Sequence, residues 1–305
     1  MSEWNKGGLA LVRTPQAFLY NAPGVQPGPQ TDEVLSGWAV AIEEGGEGEW
    51  VPVRTHYGYA GWIRTEALRR TDRAELEVRK EIIRRVAGAW MDLYAEPKVQ
   101  GKLIATLPRG SFVRLTGEDQ EGWSPVRDAE GREGWAHTAA LAVRRDEDGY
   151  LLSDCDPAWF RRSAERMAGG RREPEIRQAV ADAALSYLGA PYRWGGKTPG
   201  GIDCSGLAFM SYMENGILIY RDARIMPEYP IREIPPERLG TGDLIFFPGH
   251  VAVCIGGGRY VHATAWKHTP WVTVNSLNPG DPDFRADLAG KAEAFGSLFV
   301  HPDAE

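Results

Sequence analysis

Two stretches of this chain repeat one another at a spacing of 73 positions. Gly37-Trp38-Ala39-Val40 matches Gly110-Ser111-Phe112-Val113, Trp50 matches Trp123, and Val53-Arg54 matches Val126-Arg127. Further on, Gly61-Trp62 matches Gly134-Trp135 and Ala67-Leu68 matches Ala140-Leu141. Solenoid repeats run shorter, so this period predicts tandem small domains in the first half of the chain. Each copy sets short apolar runs between turn glycines, which predicts strands closing into a small β-barrel.

The Gly-Trp close of each copy and the Trp-x-x-Val-Arg strand before it resemble bacterial SH3 domains. On that resemblance residues 8–72 form a first SH3-like barrel and residues 80–145 a second. Between them, Arg73 to Ala87 is highly charged, with Leu76, Val78, Ile82, Ile83 and Val86 at broadly helical intervals. It reads as a linker, and could equally lead into the first strand of the second barrel. Residues 146–173 read as another linker, with a short helix from Ala158 to Met167. A helix from about Pro174 to Leu188, with its proline in the first turn, opens a third domain, 174–305.

The chemistry-bearing residues lie in that third domain. Tyr192-Arg193-Trp194-Gly195-Gly196 leads through Gly200-Gly201 to Ile202-Asp203-Cys204-Ser205-Gly206-Leu207. Leu207, Met210 and Met213 recur at helical spacing and Gly216 follows as a terminator, so Cys204 is expected in the first turn of a helix with Asp203 as N-cap. A helix N-terminus and a nearby imidazole favour the thiolate that a nucleophilic cysteine needs, and free N–H groups there can hold an oxyanion. Leu244-Ile245-Phe246-Phe247, His250 to Ile255 and Arg259 to Ala263 read as three consecutive strands separated by Pro-Gly and Gly-Gly-Gly turns. Neighbouring strands could thus present His250 as base and His262 as the group that orients it.

Asp203-Cys204-Ser205-Gly206-Leu207, Gly242-Asp243-Leu244, His250-Val251 and His262-Ala263 together resemble the NlpC/P60 cysteine peptidases over about residues 175 to 300. The resemblance implies an α+β papain-like core and cleavage of bonds to γ-D-glutamate in peptidoglycan-derived peptides. Cys204 would be nucleophile, His250 general base and His262 the third polar residue, with Tyr192 and Ser205 beside them. The domain order and Asn275-Ser276-Leu277-Asn278-Pro279 are similar to a three-domain branch of the family. There the first barrel packs on the peptidase, closes one end of the cleft and helps hold a free N-terminal L-alanine. The amine would be met by Asp203, by Tyr59, and by Asp32 or Glu33. Asp222, in Tyr220-Arg221-Asp222-Ala223-Arg224, matches a substrate-lining segment in which Ala223 replaces an expected serine.

The resulting expectation is a γ-D-glutamyl-L-diamino acid endopeptidase of muropeptide recycling. Two alternatives use the same residues differently: a wall-binding SH3 module with a silent catalytic domain, or an amidase or acyltransferase on another substrate. With 35 basic and 42 acidic side chains the formal charge is -7, which argues against a nucleic-acid surface. No apolar run is long enough to span a membrane. The segment from Met1 to Arg13 lacks a leader's apolar stretch, so a cytoplasmic location is expected. Cys155, Cys204 and Cys254 fit no zinc spacing, and neither metal nor cofactor is implied. Asp154 and Asp156 flank Cys155 and would raise its pKa; Cys254 sits mid-strand; neither competes with Cys204.

Overall fold

The 73-residue repeat is a repeat of strand order. In this computed structural model, which describes residues 4–299, the first copy runs β1 (Leu9–Val12), β2 (Gln16–Tyr20), β3 (Gln30–Leu35), β4 (Ala39–Ile42), β5 (Trp50–Thr55), β6 (Ala60–Arg64) and β7 (Leu68–Thr71). The second runs β8 (Ile83–Val86), β9 (Trp90–Tyr94), β10 (Leu103–Pro108), β11 (Phe112–Leu115), β12 (Trp123–Arg127), β13 (Glu133–His137) and β14 (Leu141–Val143). The orders β3-β2-β6-β5-β4-β1-β7 and β10-β9-β13-β12-β11-β8-β14 are the same permutation.

The expected closed barrels are corrected to open seven-stranded sheets, because neither hydrogen-bond ladder joins its two edge strands. The second nevertheless curls. A flat sheet would hold edge strands about 29 Å apart, from six spacings of about 4.8 Å. In the second sheet, Ile104 and Leu107 of edge β10 pack on the same cluster as Leu141 of edge β14, with Val86, Met91, Leu93, Val113 and Val126 between them. One shared apolar core draws the edges together, while among the described residues none bridges them by main-chain pairing.

The chain divides into two compact units at Cys155/Asp156. Both sheets belong to the first. Between them, Asp72 caps α1 (Arg73–Ile82) by accepting from Glu75 N, and the helix passes straight into β8. The linker and first-strand readings of Arg73 to Ala87 therefore both describe part of the segment. Trp38 Nε1 donates to Gly110 O at 2.9 Å and Phe112 N to Ser36 O at 2.8 Å, so equivalent turns of the two copies meet each other. Beside them Arg144 lies between Asp146 (3.0 Å) and Asp148 (2.9 Å), with Arg79 and His56 completing a buried ionic cluster. A short helix, α2 (Gly149–Leu152), ends the unit.

The second unit opens with α3 (Trp159–Ala168), the helix expected from Ala158, and α4 (Glu173–Leu185), with Pro174 in its first turn. A two-stranded ribbon, β15 (Lys197–Thr198) and β16 (Gly201–Ile202), leads into α5 (Cys204–Met213). Then come β17 (Arg232–Ile234), β18 (Leu244–Phe247), β19 (His250–Gly256), β20 (Arg259–Ala263), β21 (Val272–Ser276) and β22 (Ala294–Ser297), in one antiparallel sheet of order β17-β22-β18-β19-β20-β21. Every residue of α5 is buried, and the helix packs on α4 and β19. The α+β arrangement expected for this part of the chain is present.

Candidate active site

Cys204 occupies the first helical position of α5, as Asp203 requires by capping: its Oδ1 accepts from Gly206 N at 2.6 Å. The thiol takes a hydrogen bond from the main-chain N–H of Val251, one residue along β19 from His250. Residues 196, 201 and 206 must be small for this approach. A Cβ on Gly206 would lie 2.2 Å from Gly196 O.

Residues two apart on a strand share a face, so His250 lines up with Ala252 and Cys254 on β19, and His262 with Tyr260 on β20. His250 Nε2 and His262 Nδ1 are 2.7 Å apart, and His262 Nε2 is 2.9 Å from Asn275 Oδ1 on β21. Three adjacent strands thus hold a chain of three side chains beside the helix that carries the thiol. His262 is fully buried, whereas His250 keeps part of its edge exposed.

The electrostatics differ from the sequence expectation. Burial, reinforced by the Asp203 carboxylate, pushes the Cys204 thiol up to about 11. Burial and the Arg285 guanidinium lower His250 to about 4. Burial, then His250 and more weakly Arg285, lower His262 to about 3. A preformed thiolate–imidazolium pair is therefore replaced by a neutral thiol and a neutral imidazole, because loss of solvent outweighs the partial charge of the helix end. The two other cysteines also have raised pKa values, mainly through burial.

Asp203 is more fully used than a cap. Oδ2 accepts from Gly195 N at 2.6 Å, and Arg221, itself buried, reaches Oδ1 at 3.1 Å and Oδ2 at 3.2 Å. Ser205 Oγ donates to Oδ1 at 3.2 Å and accepts from Arg221 Nη1 at 2.7 Å. With five donors around it, this carboxylate has no lone pair spare for a substrate amine. Tyr192 is half-buried; its phenol is held neutral by burial, then by the neighbouring Cys204 and Asp203. Asp222 shares a small cavity with Ser205 and Ala208 of α5 and Val251 of β19.

Glu33 and Tyr59 belong to the first unit. Asp32 and Glu33 are buried on β3, and Asp32 receives the hydroxyl of Tyr57. Tyr59 is half-buried in the turn between β5 and β6, its N–H donated to Thr55 Oγ1 at 2.9 Å. Three residues of the second unit escaped the sequence reading. Arg221 sits one place from Asp222, and an arginine in a segment next to the candidate site was its only signal. Asn275 lies in the segment already singled out for resemblance. Arg285, over Trp266 at 4.5 Å and bidentate to Asp287 at 2.7 Å, carried no signal.

Residues 189–279 match the NlpC/P60 family, and residues 89–142 match the bacterial SH3 domain, the second of the two sheets with one strand order. The chain is 38% identical over 291 residues to a Lysinibacillus sphaericus protein named Dipeptidyl-peptidase 6, covering 95% of this chain and 99% of that one. It is 25% identical over 234 residues to the Gamma-D-glutamyl-L-lysine dipeptidyl-peptidase of Bacillus subtilis, covering 71% of this chain and 67% of that one. A solved NlpC/P60 family protein from Bacillus cereus shares the fold, with a TM-score of 0.69 at 20% identity over 94% of this chain and 98% of that one. The NlpC/P60 match spans the thiol at its helix N-terminus and the histidine pair, and the 38%-identical relative is covered almost end to end: the chain belongs to the NlpC/P60 family of peptidases, with a bacterial SH3 domain ahead of its peptidase domain.

Proposed function

We propose that this protein is a cysteine endopeptidase that hydrolyses the bond between γ-D-glutamate and the following diamino acid, meso-diaminopimelate or L-lysine. Its substrates are peptidoglycan-derived peptides with a free N-terminal L-alanine, and it works in cell-wall recycling in the cytoplasm. The observation that carries the reaction class is the sulfur of Cys204 on the N–H of Val251, next to a His250 already held by His262. The name of the Bacillus subtilis relative, a gamma-D-glutamyl-L-lysine dipeptidyl-peptidase, supports the substrate class.

His250 Nε2 is engaged by His262, which leaves Nδ1 to take the thiol proton. As that proton moves, the sulfur attacks the γ-carbonyl carbon of D-glutamate, and N–H groups at the start of α5 receive the oxyanion. Collapse breaks the carbon–nitrogen bond, and His250 returns the proton to the departing amine. Water then adds to the thioester with His250 as base, releasing the carboxylate and restoring the thiol. Tyr192, Ser205 and Asp222 line the approach to the sulfur. Because Asp203 is occupied by its own neighbours, the amine of L-alanine falls to Glu33 and Tyr59.

L-Ala-γ-D-Glu-meso-diaminopimelate, with and without an acetylated N-terminus, tests the assignment. The free peptide is cleaved to L-Ala-D-Glu and meso-diaminopimelate, and acetylation lowers kcat/KM by about 100-fold, the loss of a charge-assisted hydrogen bond and its buried partner. Equal cleavage of both peptides defeats the free-amine claim and leaves the reaction class standing.

A further inference from the structure

Asn275 holds the far end of the histidine chain, and its amide is fixed at both ends. Nδ2 lies 2.6 Å from the main-chain carbonyl of Asp283, and Oδ1 lies 2.9 Å from His262 Nε2. A carbonyl only accepts, so the NH2 end must face Asp283 and the amide oxygen must face His262. That oxygen also only accepts, so His262 Nε2 carries the ring hydrogen. A neutral imidazole has one N–H, which leaves a lone pair on His262 Nδ1. His250 Nε2 is 2.7 Å from that lone pair and must be the donor. The lone pair of His250 is then on Nδ1, the nitrogen that the proposed reaction uses as base.

The carbonyl at the start of this sequence is itself secured. Asp283 O also accepts from Ser276 N at 3.3 Å, and Ser276 pairs with Phe284 across the turn. Ser276 Oγ donates to Asp281 Oδ2 at 2.5 Å, and Leu277 N donates to Gly258 O at 2.8 Å. The Asp283 carboxylate pairs with Arg259 at the start of β20. Residues 276 to 284 therefore brace one carbonyl against the edge of the sheet.

We propose that Asn275 is a positioning residue that sets the tautomers of both histidines, relaying the polarity of the Asp283 carbonyl to Nδ1 of His250. It does so without charge. An aspartate in its place would put an anion against His262 and favour an imidazolium, which has no lone pair to accept from His250. An amide imposes the same hydrogen-bond direction and keeps the relay neutral. The kinetic consequence rests on the proposed peptidase reaction, whereas the tautomers belong to the free protein.

The test uses the whole chain labelled with ¹⁵N-histidine, its His250 and His262 signals assigned with His250→Gln and His262→Gln. In the wild type without substrate, both rings are expected to show a protonated Nε2 and an unprotonated Nδ1 at neutral pH. In Asn275→Leu, of similar size and without an acceptor, His262 becomes a mixture of tautomers. Its kcat on the γ-D-glutamyl peptide falls by about 10- to 100-fold, the range for outer groups that orient a working imidazole, with KM unchanged. A wild-type His262 protonated on Nδ1 overturns the proposal, as does Asn275→Leu with wild-type tautomers and kcat. Should Asn275→Leu fail to fold, the wild-type spectrum alone decides. If the wild type shows the expected tautomers but does not cleave the peptide, the proposed function fails and the role of Asn275 stands.

Discussion

Cys204 and His250 are both neutral at rest, and their protonation decides how the site responds to pH. With the thiol raised to about 11 and the imidazole lowered to about 4, one neutral pair persists across the whole range between. The profile of kcat/KM is therefore expected to be flat from about pH 5.5 to 7, since neither group titrates there, and to fall above about pH 8 only as the substrate's α-amine, of ordinary pKa about 7.7–8.0, loses its charge. An acidic limb at the ordinary histidine pKa of about 6.5 would show that burial does not govern His250. The same shifts bear on stability. Below pH 6.5 the unfolded chain takes up protons that the buried rings refuse, so stability falls as pH drops from about 6.5 towards about 4. The slope is at most about 1.4 kcal/mol per pH unit for His262, and less for the partly exposed His250. Urea unfolding at pH 7 and pH 5 measures it, and His262→Gln should flatten it.

Helix α5 can begin at Cys204 only because its first turn fits against the glycine-rich ribbon ahead of it. A methyl group on Gly206 would sit 2.2 Å from Gly196 O, a main-chain atom that cannot rotate away. Gly206→Ala is therefore expected to cost about 3 kcal/mol or more by overpacking and to displace the thiol, which a thermal melt together with thiol alkylation rates would register. Arg221→Met removes the guanidinium from a buried carboxylate and should cost about 3–5 kcal/mol. Much of this element was legible beforehand: the glycines, the Asp203 cap and the helical spacing of Leu207, Met210 and Met213 are local signals. So were the strands bearing His250 and His262, since each is a short apolar run between turn residues. Arg221, Asn275 and Arg285 were not, because each acts through a partner distant in sequence: Asp203 for Arg221, His262 for Asn275, and Trp266 together with the histidine pair for Arg285. The thiolate expectation failed for a related reason. Helix position is written locally, whereas burial is a property of the assembled sheet and helices.

Across the first unit, the repeat visible at 73 positions proves to be one strand order used twice, with the two turns after β3 and β10 joined by Trp38 and Phe112. The domain repeat was legible from tryptophans and glycines, yet an open ladder curled on a shared core looks like a closed barrel in a hydrophobic pattern. The ionic cluster that completes the unit joins Arg144, at the end of the range read as the second barrel, to Asp146 and Asp148, which open a segment read as linker. Arg144, Asp146 and Asp148 are all buried, so removing the guanidinium that the two carboxylates share leaves Asp148 to Arg79 at 3.4 Å and Asp146 to His56 at 3.3 Å. Arg144→Met is expected to destabilise residues 4–155 by about 3–5 kcal/mol, with hydrogen exchange rising there and not in the peptidase unit. For the molecule as a whole, the central claim is that one sulfur cuts one bond. The most direct measurement is the hydrolysis of L-Ala-γ-D-Glu-meso-diaminopimelate by the wild type and by Cys204→Ala, with the products identified. The account predicts release of meso-diaminopimelate by the wild type and a loss of at least about 10³-fold in the variant, as for an enzyme deprived of its nucleophile. Undiminished release by Cys204→Ala would contradict it.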